Sequence, residues 1–293
     1  MLAFVFSGGG ARGALQVGAL RALSEANIQP DLLVGTSVGA VNAAYLALRG
    51  LNRSSIEGLA RAWHDAASAN LLPTDALGLI DCVLFRGSAQ HSYRRLRDFI
   101  IAHGLPPDLR FADFHGTRLI LVATDLNTGR PVLYGQDPQQ SVLEGVLASA
   151  AMPPWMPPIE KGEQVLADGG AVSGMPIEAA MIAGATEIIA LNLSDPRDVP
   201  SAARDSVAVV RKWIAAVGQR QVAVELALAA AYGVPVRHIV LRADPPVALW
   251  DFRRTPELIA RGYEIARQEI PQWQQVLIRQ PIQEFETVAA GRM

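Results

Sequence analysis

The 293-residue sequence contains one cysteine, Cys82, so no disulfide can close within the chain and no thiolate cluster can bind a metal. No basic partner lies near Cys82 in sequence, which predicts a small buried hydrophobe rather than a nucleophile. Histidine is also scarce: His64, His91, His103, His115 and His238 are the full set. Charge of either sign is not in excess. Lys and Arg number 26 against 28 Asp and Glu, a net charge of -2, which leaves no basic footprint for nucleic acid. No run reaches the roughly 18 consecutive apolar residues of a membrane helix, and the most apolar late stretch, 222–232, is broken by Glu225. The apolar run at 2–6 has no positively charged segment before it and is too short for a secretory leader. These absences predict a soluble, cytoplasmic protein.

Hydrophobic residues make up 50% of the chain and charged residues 18%, enough to build a large core. Strand and helix patterns alternate. Strands are expected at 2–6, 31–35, 187–192 and 238–241, and helices at 14–26, 38–49, from 54 or 55 to about 68, 92–103, 139–151, 176–183 and from 255 toward 268. Hairpins are expected around "DLNTGR" and at Lys161-Gly162. Such alternation predicts an α/β fold, a three-layer α/β/α sandwich on a mostly parallel sheet. Residues 1–293 read as one domain, with 195–205 the best candidate for a mobile loop.

Three short stretches carry chemistry. Gly8-Gly9-Gly10-Ala11-Arg12-Gly13 follows the first strand and fits G-x-G-x-x-G, the loop that cradles a dinucleotide pyrophosphate. A dinucleotide site also needs a carboxylate at the end of the second strand. Asp31 precedes that strand, and its end is occupied by Thr36-Ser37. Gly35-Thr36-Ser37-Val38-Gly39 is a G-x-S-x-G between a strand and a helix, the setting of a nucleophile elbow, although a capping serine would fit the same five residues. With Ser37 as nucleophile, the backbone N–H groups of Gly9, Gly10 and Val38 are placed to converge on an oxyanion. Arg12 would then anchor the loop or meet a substrate phosphate. The third stretch, Asp168-Gly169-Gly170, describes any Asp-Gly turn when taken alone.

A serine nucleophile needs a base. None of the five histidines sits in a catalytic-loop context, and only His238 follows Asp168 in the Ser…Asp…His order. Taken together, "SGGGARG", "GTSVG" and "DGG" resemble the patatin-like phospholipases, as do "VATDLNTG", Ala148-Ser149-Ala150-Ala151-Met152-Pro153 and "MPIEAAMIAGATEIIALNLS". The resemblance runs from residue 2 to about 192 and falls silent over 195–232, where members of the family vary. It implies a Ser-Asp dyad of Ser37 and Asp168, an oxyanion loop of Gly8, Gly9, Gly10 and Arg12, and hydrolysis of fatty acyl esters without a cofactor.

Met152, Trp155 and Met156, in a proline-rich link expected to be extended, offer an apolar wall for an acyl chain. Val210, Trp213, Ile214 and Val217 share one helical face, a pattern of core or subunit contacts; Arg211, Lys212 and Arg220 beside it also fit a transient membrane-surface contact. The expected partner is a lipid or acyl-ester substrate. Acyl transfer on the same dyad, and non-catalytic dinucleotide or phosphate binding, are the alternatives.

Overall fold

A computed structural model describes residues 1–69, 71, 81, 87–194 and 206–279. Cys82 and the 195–205 segment lie outside the described residues.

The central element is β1 (Leu2–Phe6), whose apolar side chains alternate between two hydrophobic layers. Phe4 and Phe6 enter the larger layer with α1 (Gly13–Glu25), α2 (Val38–Arg49) and α3 (Arg53–Ala66). Ala3 and Val5 enter the smaller layer on the opposite face. A strand buried on both faces needs a continuous apolar run, and this one has it. On one side of β1 lie β2 (Leu32–Thr36) and β3 (Arg118–Asp125), and on the other β7 (Glu187–Asn192) and β8 (Val236–Val240), all parallel. The expected three-layer α/β/α sandwich is therefore the fold.

The parallel sheet carries an antiparallel extension. β4 (Arg130–Tyr134) pairs with one edge of β3. β6 (Gln164–Asp168), itself paired with β5 (Ile159–Lys161), meets β3 only at Ala123–Asp125. That is where β2 has just ended, since Thr36 is opposite Val122 and Asp168 is opposite Ala123. Adjacent residues of β3 thus set the ends of β2 and β6 side by side.

The helices match the apolar periodicity with a few physical differences. The cap of α3 is Asn52, whose side chain accepts the Ser55 N–H at 3.0 Å while Ser55 returns the bond to the Asn52 N–H; Ser54 and Ser55 lie inside the helix. α4 is Gly87–Ala102. α5 (Val142–Ser149) is shorter than 139–151 because Ser141 caps it. α6 (Ile177–Ile182) begins after Pro176. α7 is Ser206–Ala231, and α8 (Thr255–Arg279) continues past 268 through Pro271. Among the described residues one helical stretch, Lys212–Ala231, is long and apolar enough by composition to cross a membrane.

Candidate active site

Thr36 closes β2 and α2 opens at Val38, so Ser37 must reverse the chain in one residue. It does so at φ 56°, ψ -128°, a conformation that side chains other than glycine rarely adopt. The flanking glycines permit the reversal. A Cβ on Gly35 would lie 2.4 Å from the Gly39 carbonyl oxygen, and one on Gly39 would lie 2.4 Å from the Phe6 carbonyl oxygen. The Ser37 hydroxyl caps no backbone group, so it is not a capping serine. Its backbone N–H donates to the Ser149 hydroxyl at 2.9 Å, and Ser149 donates to the Val122 carbonyl at 2.6 Å. Val38 begins α2, where helix geometry offers its N–H no acceptor.

The glycine loop lies over this turn. A Cβ on Gly8 would come within 3.1 Å of the Ser37 Cβ and 3.8 Å of its Oγ. The Gly8 N–H is committed to the Gly174 carbonyl at 2.9 Å, so Gly8 supplies space rather than a donor. Gly10 sits at φ 57° and the Ala11 N–H donates to the Leu249 carbonyl at 2.6 Å, which pins the loop. Arg12 is buried and donates to the Gly9 carbonyl from its backbone N–H at 3.3 Å and from Nε at 3.2 Å. In a trans peptide the Gly10 N–H points opposite to that carbonyl, so Arg12 acts as the anchor that aims the donor.

Behind the loop runs a buried polar chain that the sequence pattern did not reveal. Trp63 Nε1 donates to Asn42 Oδ1 at 2.9 Å, Asn42 Nδ2 donates to Gln16 Oε1 at 2.9 Å, and Gln16 Nε2 donates to the Ser7 carbonyl at 3.0 Å. Each buried polar atom in it finds a partner, which fixes the strand leading into Gly8.

Asp168 ends β6 with its backbone clamped on both sides. Its N–H donates to the Ala151 carbonyl at 2.9 Å, and its carbonyl accepts from Thr124 Oγ1 at 2.9 Å. Gly169 then turns tightly, since a Cβ there would lie 2.1 Å from the Val122 carbonyl oxygen. Oδ1 accepts the Gly170 N–H at 2.7 Å. Oδ2 is buried and has no hydrogen-bond partner among the described residues. Burial pushes the Asp168 carboxyl up to about 6, against the pull of the nearby Ser37 hydroxyl and the Gly170 N–H. The Ser37 hydroxyl is thus close enough to the carboxylate to bias its ionisation.

Ser37 opens onto an apolar pocket that follows one face of α2, lined by Val41, Ala44, Tyr45 and Leu48, with Leu59 and Trp63 from α3 and Phe99 and Ile100 from α4 opposite. The pocket extends to His103 and Gly104, and Gly104 accepts from Arg49, the last residue of α2, at 3.3 Å. At 1.5 Å per residue the pocket therefore runs about 18 Å from Ser37. Met152, Trp155 and Met156 line its mouth, with Trp155 against Trp250 at 4.8 Å between ring centroids. The proline-rich link that carries them is a turn, not an extended segment, closed by the Met156 N–H on the Met152 carbonyl at 3.0 Å.

No histidine meets Ser37. His103 is at the far end of the pocket, with Nε2 3.1 Å from Asp65; His238 bonds Asn192 at 3.0 Å; His64, His91 and His115 are exposed. Asp31, the one acid near the spacing of a ribose ligand, accepts the Leu2 N–H at 2.8 Å, at the opposite end of β1 from the glycine loop. Among the described residues no group of three or more His, Cys, Asp or Glu side chains could hold a metal ion.

A strained serine on a strand–turn–helix, a glycine loop over it and a buried carboxylate beside it thus meet at one end of the sheet. The patatin-like phospholipase family pattern matches residues 4–181, and the chain belongs to that family. It is 30% identical over 195 residues to the mouse patatin-like phospholipase domain-containing protein 6, covering 66% of this chain and 13% of that protein. It is likewise 30% identical over 192 residues to an NTE family protein of Mycobacterium tuberculosis, covering 66% of this chain and 30% of that one. The chain thus spans less than a third of the length of either relative. Among solved structures, VipD from Legionella pneumophila aligns with 92% of this chain and 66% of its own at 16% identity and a TM-score of 0.47.

Proposed function

We propose that this protein hydrolyses carboxylic esters of fatty acyl lipids, such as phospholipids or lysophospholipids, through a Ser37–Asp168 dyad. The observation that carries the proposal is Asp168 Oδ2, buried and without a hydrogen-bond partner among the described residues, beside a serine whose hydroxyl caps nothing and opens onto a long apolar pocket. A buried acceptor left unpaired costs about 1–3 kcal/mol, and such a cost is retained where the group has work to do.

In this reading the acyl chain lies along α2 and the ester carbonyl sits over Ser37. Asp168 Oδ2 takes the Ser37 hydroxyl proton as Oγ bonds to the carbonyl carbon. The oxygen that becomes negative accepts from the N–H groups of Gly10 and Val38, with Gly9 in reach. Removing one such donor typically costs about 2.7–4 kcal/mol of transition-state stabilisation. Collapse of this intermediate breaks the bond to the leaving alcohol, which departs with the proton from Asp168. Water then gives its proton to Asp168 and attacks the acyl-enzyme, releasing a fatty acid and restoring Ser37. Ser149 has no part in proton transfer; it occupies the Ser37 N–H and so leaves Val38 as the donor at the helix start.

Release of fatty acid from phosphatidylcholine and lysophosphatidylcholine by the purified protein, measured by mass spectrometry against Ser37→Ala, tests the proposal. Release by wild type alone supports it. Equal release by both proteins, or none by either from lipids and soluble esters alike, rejects it.

A further inference from the structure

β7 and β8 are parallel, so α7, which connects them, runs against the strands. Its C-terminal end is at the edge where β8 begins, and its N-terminal end is at the edge where β1 and β2 deliver the glycine loop and Ser37. The helix is anchored by its later half. Gln221 Nε2 donates to the Ala171 carbonyl at 2.8 Å, just past Asp168. Glu225 is buried, accepting from the Ser173 hydroxyl and, at 2.7 Å, from the Glu178 N–H. Ahead of Gln221 none of the residues from Lys212 to Arg220 is buried among the described residues. Fifteen residues, about 22 Å of helix, therefore run beyond the anchor toward the sheet edge that carries Ser37.

This projecting half is apolar. Val209, Trp213, Ile214 and Val217 are exposed, Trp213 by 69%. Among the described residues, Trp213, Ile214 and Val217 are therefore not part of the core that their spacing suggests. From Ser206 to Val224 the helix carries Arg211, Lys212 and Arg220 and no acidic residue.

We infer that the N-terminal half of α7 docks the protein on an anionic lipid surface, lying in the interface. Apolar side chains flanked by cations on an exposed helix are the composition of an interfacial helix. A second copy of this chain is the poorer occupant. A two-fold contact sets a patch against itself and would bring cations onto cations. Spanning the bilayer is excluded for the folded state, because Glu225 and its partners keep the later half on the sheet. The choice of a lipid rests on the ester-hydrolase proposal, but the docking is read without turnover.

The test is co-sedimentation with vesicles of phosphatidylcholine alone and of phosphatidylcholine mixed with phosphatidylglycerol in equal parts. Soluble p-nitrophenyl butyrate turnover and sedimentation velocity are measured on the same samples. Wild type is expected to sediment with the mixed vesicles. Combined Trp213→Ser, Ile214→Ser and Val217→Ser should lower its partition by about tenfold or more while butyrate turnover is unchanged. Arg220→Glu should weaken binding to the mixed vesicles alone. If the triple variant fails to fold by circular dichroism, Ile214→Ser and Arg220→Glu decide by the same readout. Failure of wild type to bind either vesicle, variants that bind as wild type does, or a wild-type dimer that the substitutions dissociate would each overturn the inference. Absent butyrate turnover with intact vesicle binding would count against the hydrolase proposal and leave the docking standing.

Discussion

The Ser149 hydroxyl holds the elbow: it accepts the Ser37 N–H at 2.9 Å and donates its own O–H to the Val122 carbonyl at 2.6 Å. One side chain on α5 thereby ties the Ser37 turn to β3, the strand that also positions Asp168. Ser149→Ala would leave a buried donor and acceptor without partners, costing about 1–3 kcal/mol of stability. With the Ser37 N–H released, the strained turn loses its clamp. A fall in kcat of about tenfold or more, with KM little changed, is expected by steady-state kinetics, and thermal melting should report the loss of stability.

The glycine loop gives graded outcomes. Gly8→Ala puts a methyl 3.1 Å from the Ser37 Cβ, and the effect should be on kcat with a small change in melting temperature. Gly10→Ala is different. Its Cβ would fall 2.2 Å from the Leu249 carbonyl oxygen at a φ that disfavours side chains, so both stability and activity should drop. The pair of melts and progress curves separates a role at the site from a role in packing.

Asp168 sets the pH response. In the folded protein its carboxyl is lifted to about 6 from an ordinary 3.8, so kcat/KM should rise with pH through about 6 as the base ionises. Between those two values the folded state holds more protons than the unfolded one, so stability is fully present below 3.8 and falls as pH rises through 6. Keeping the carboxylate ionised at pH 8 costs on the order of 3 kcal/mol. Asp168→Asn should abolish turnover, raise the melting temperature at pH 8 and leave it nearly unchanged at pH 4. An imidazole base would give a limb near ~6.5, too close to discriminate, so His103→Gln and His238→Gln supply the contrast. Each should retain kcat/KM within about tenfold.

Trp155 lines the pocket mouth against Trp250. Trp155→Ala should change the ranking of short and long p-nitrophenyl esters, lowering kcat/KM most for chains long enough to enter the groove along α2. An equal change for all chain lengths would make Trp155 a packing residue only.

The elbow was legible because its requirements are local. Gly35, Ser37 and Gly39 are spaced for one strand–turn–helix, and the structure uses both glycines for the close approach that a tight reversal demands. The parallel core was legible in the same way, since the apolar runs of β1, β2 and β7 admit burial on both faces. What escaped the sequence depends on distant partners. Ser149 and Ser37 meet across 112 positions, and the Gln16–Asn42–Trp63 chain joins three helices. No spacing rule marks such residues. A cap at Ser54 or Ser55, as the sequence suggests, falls two or three residues late because Asn52 and these serines are all competent caps, and only the reciprocal Asn52–Ser55 bond decides. The apolar face of α7 has the period of a core helix, but whether anything covers it is a property of the assembled sheet.

The most direct test of the central claim is labelling by a fluorophosphonate, followed by intact mass and peptide mapping on wild type, Ser37→Ala, Asp168→Asn and the five single His→Gln variants. The account predicts one adduct, on Ser37, formed at similar rates in wild type and every histidine variant, absent in Ser37→Ala, and slowed by about a hundredfold or more in Asp168→Asn. An adduct that survives Ser37→Ala, or a folded His→Gln protein as unreactive as Ser37→Ala, would contradict the dyad.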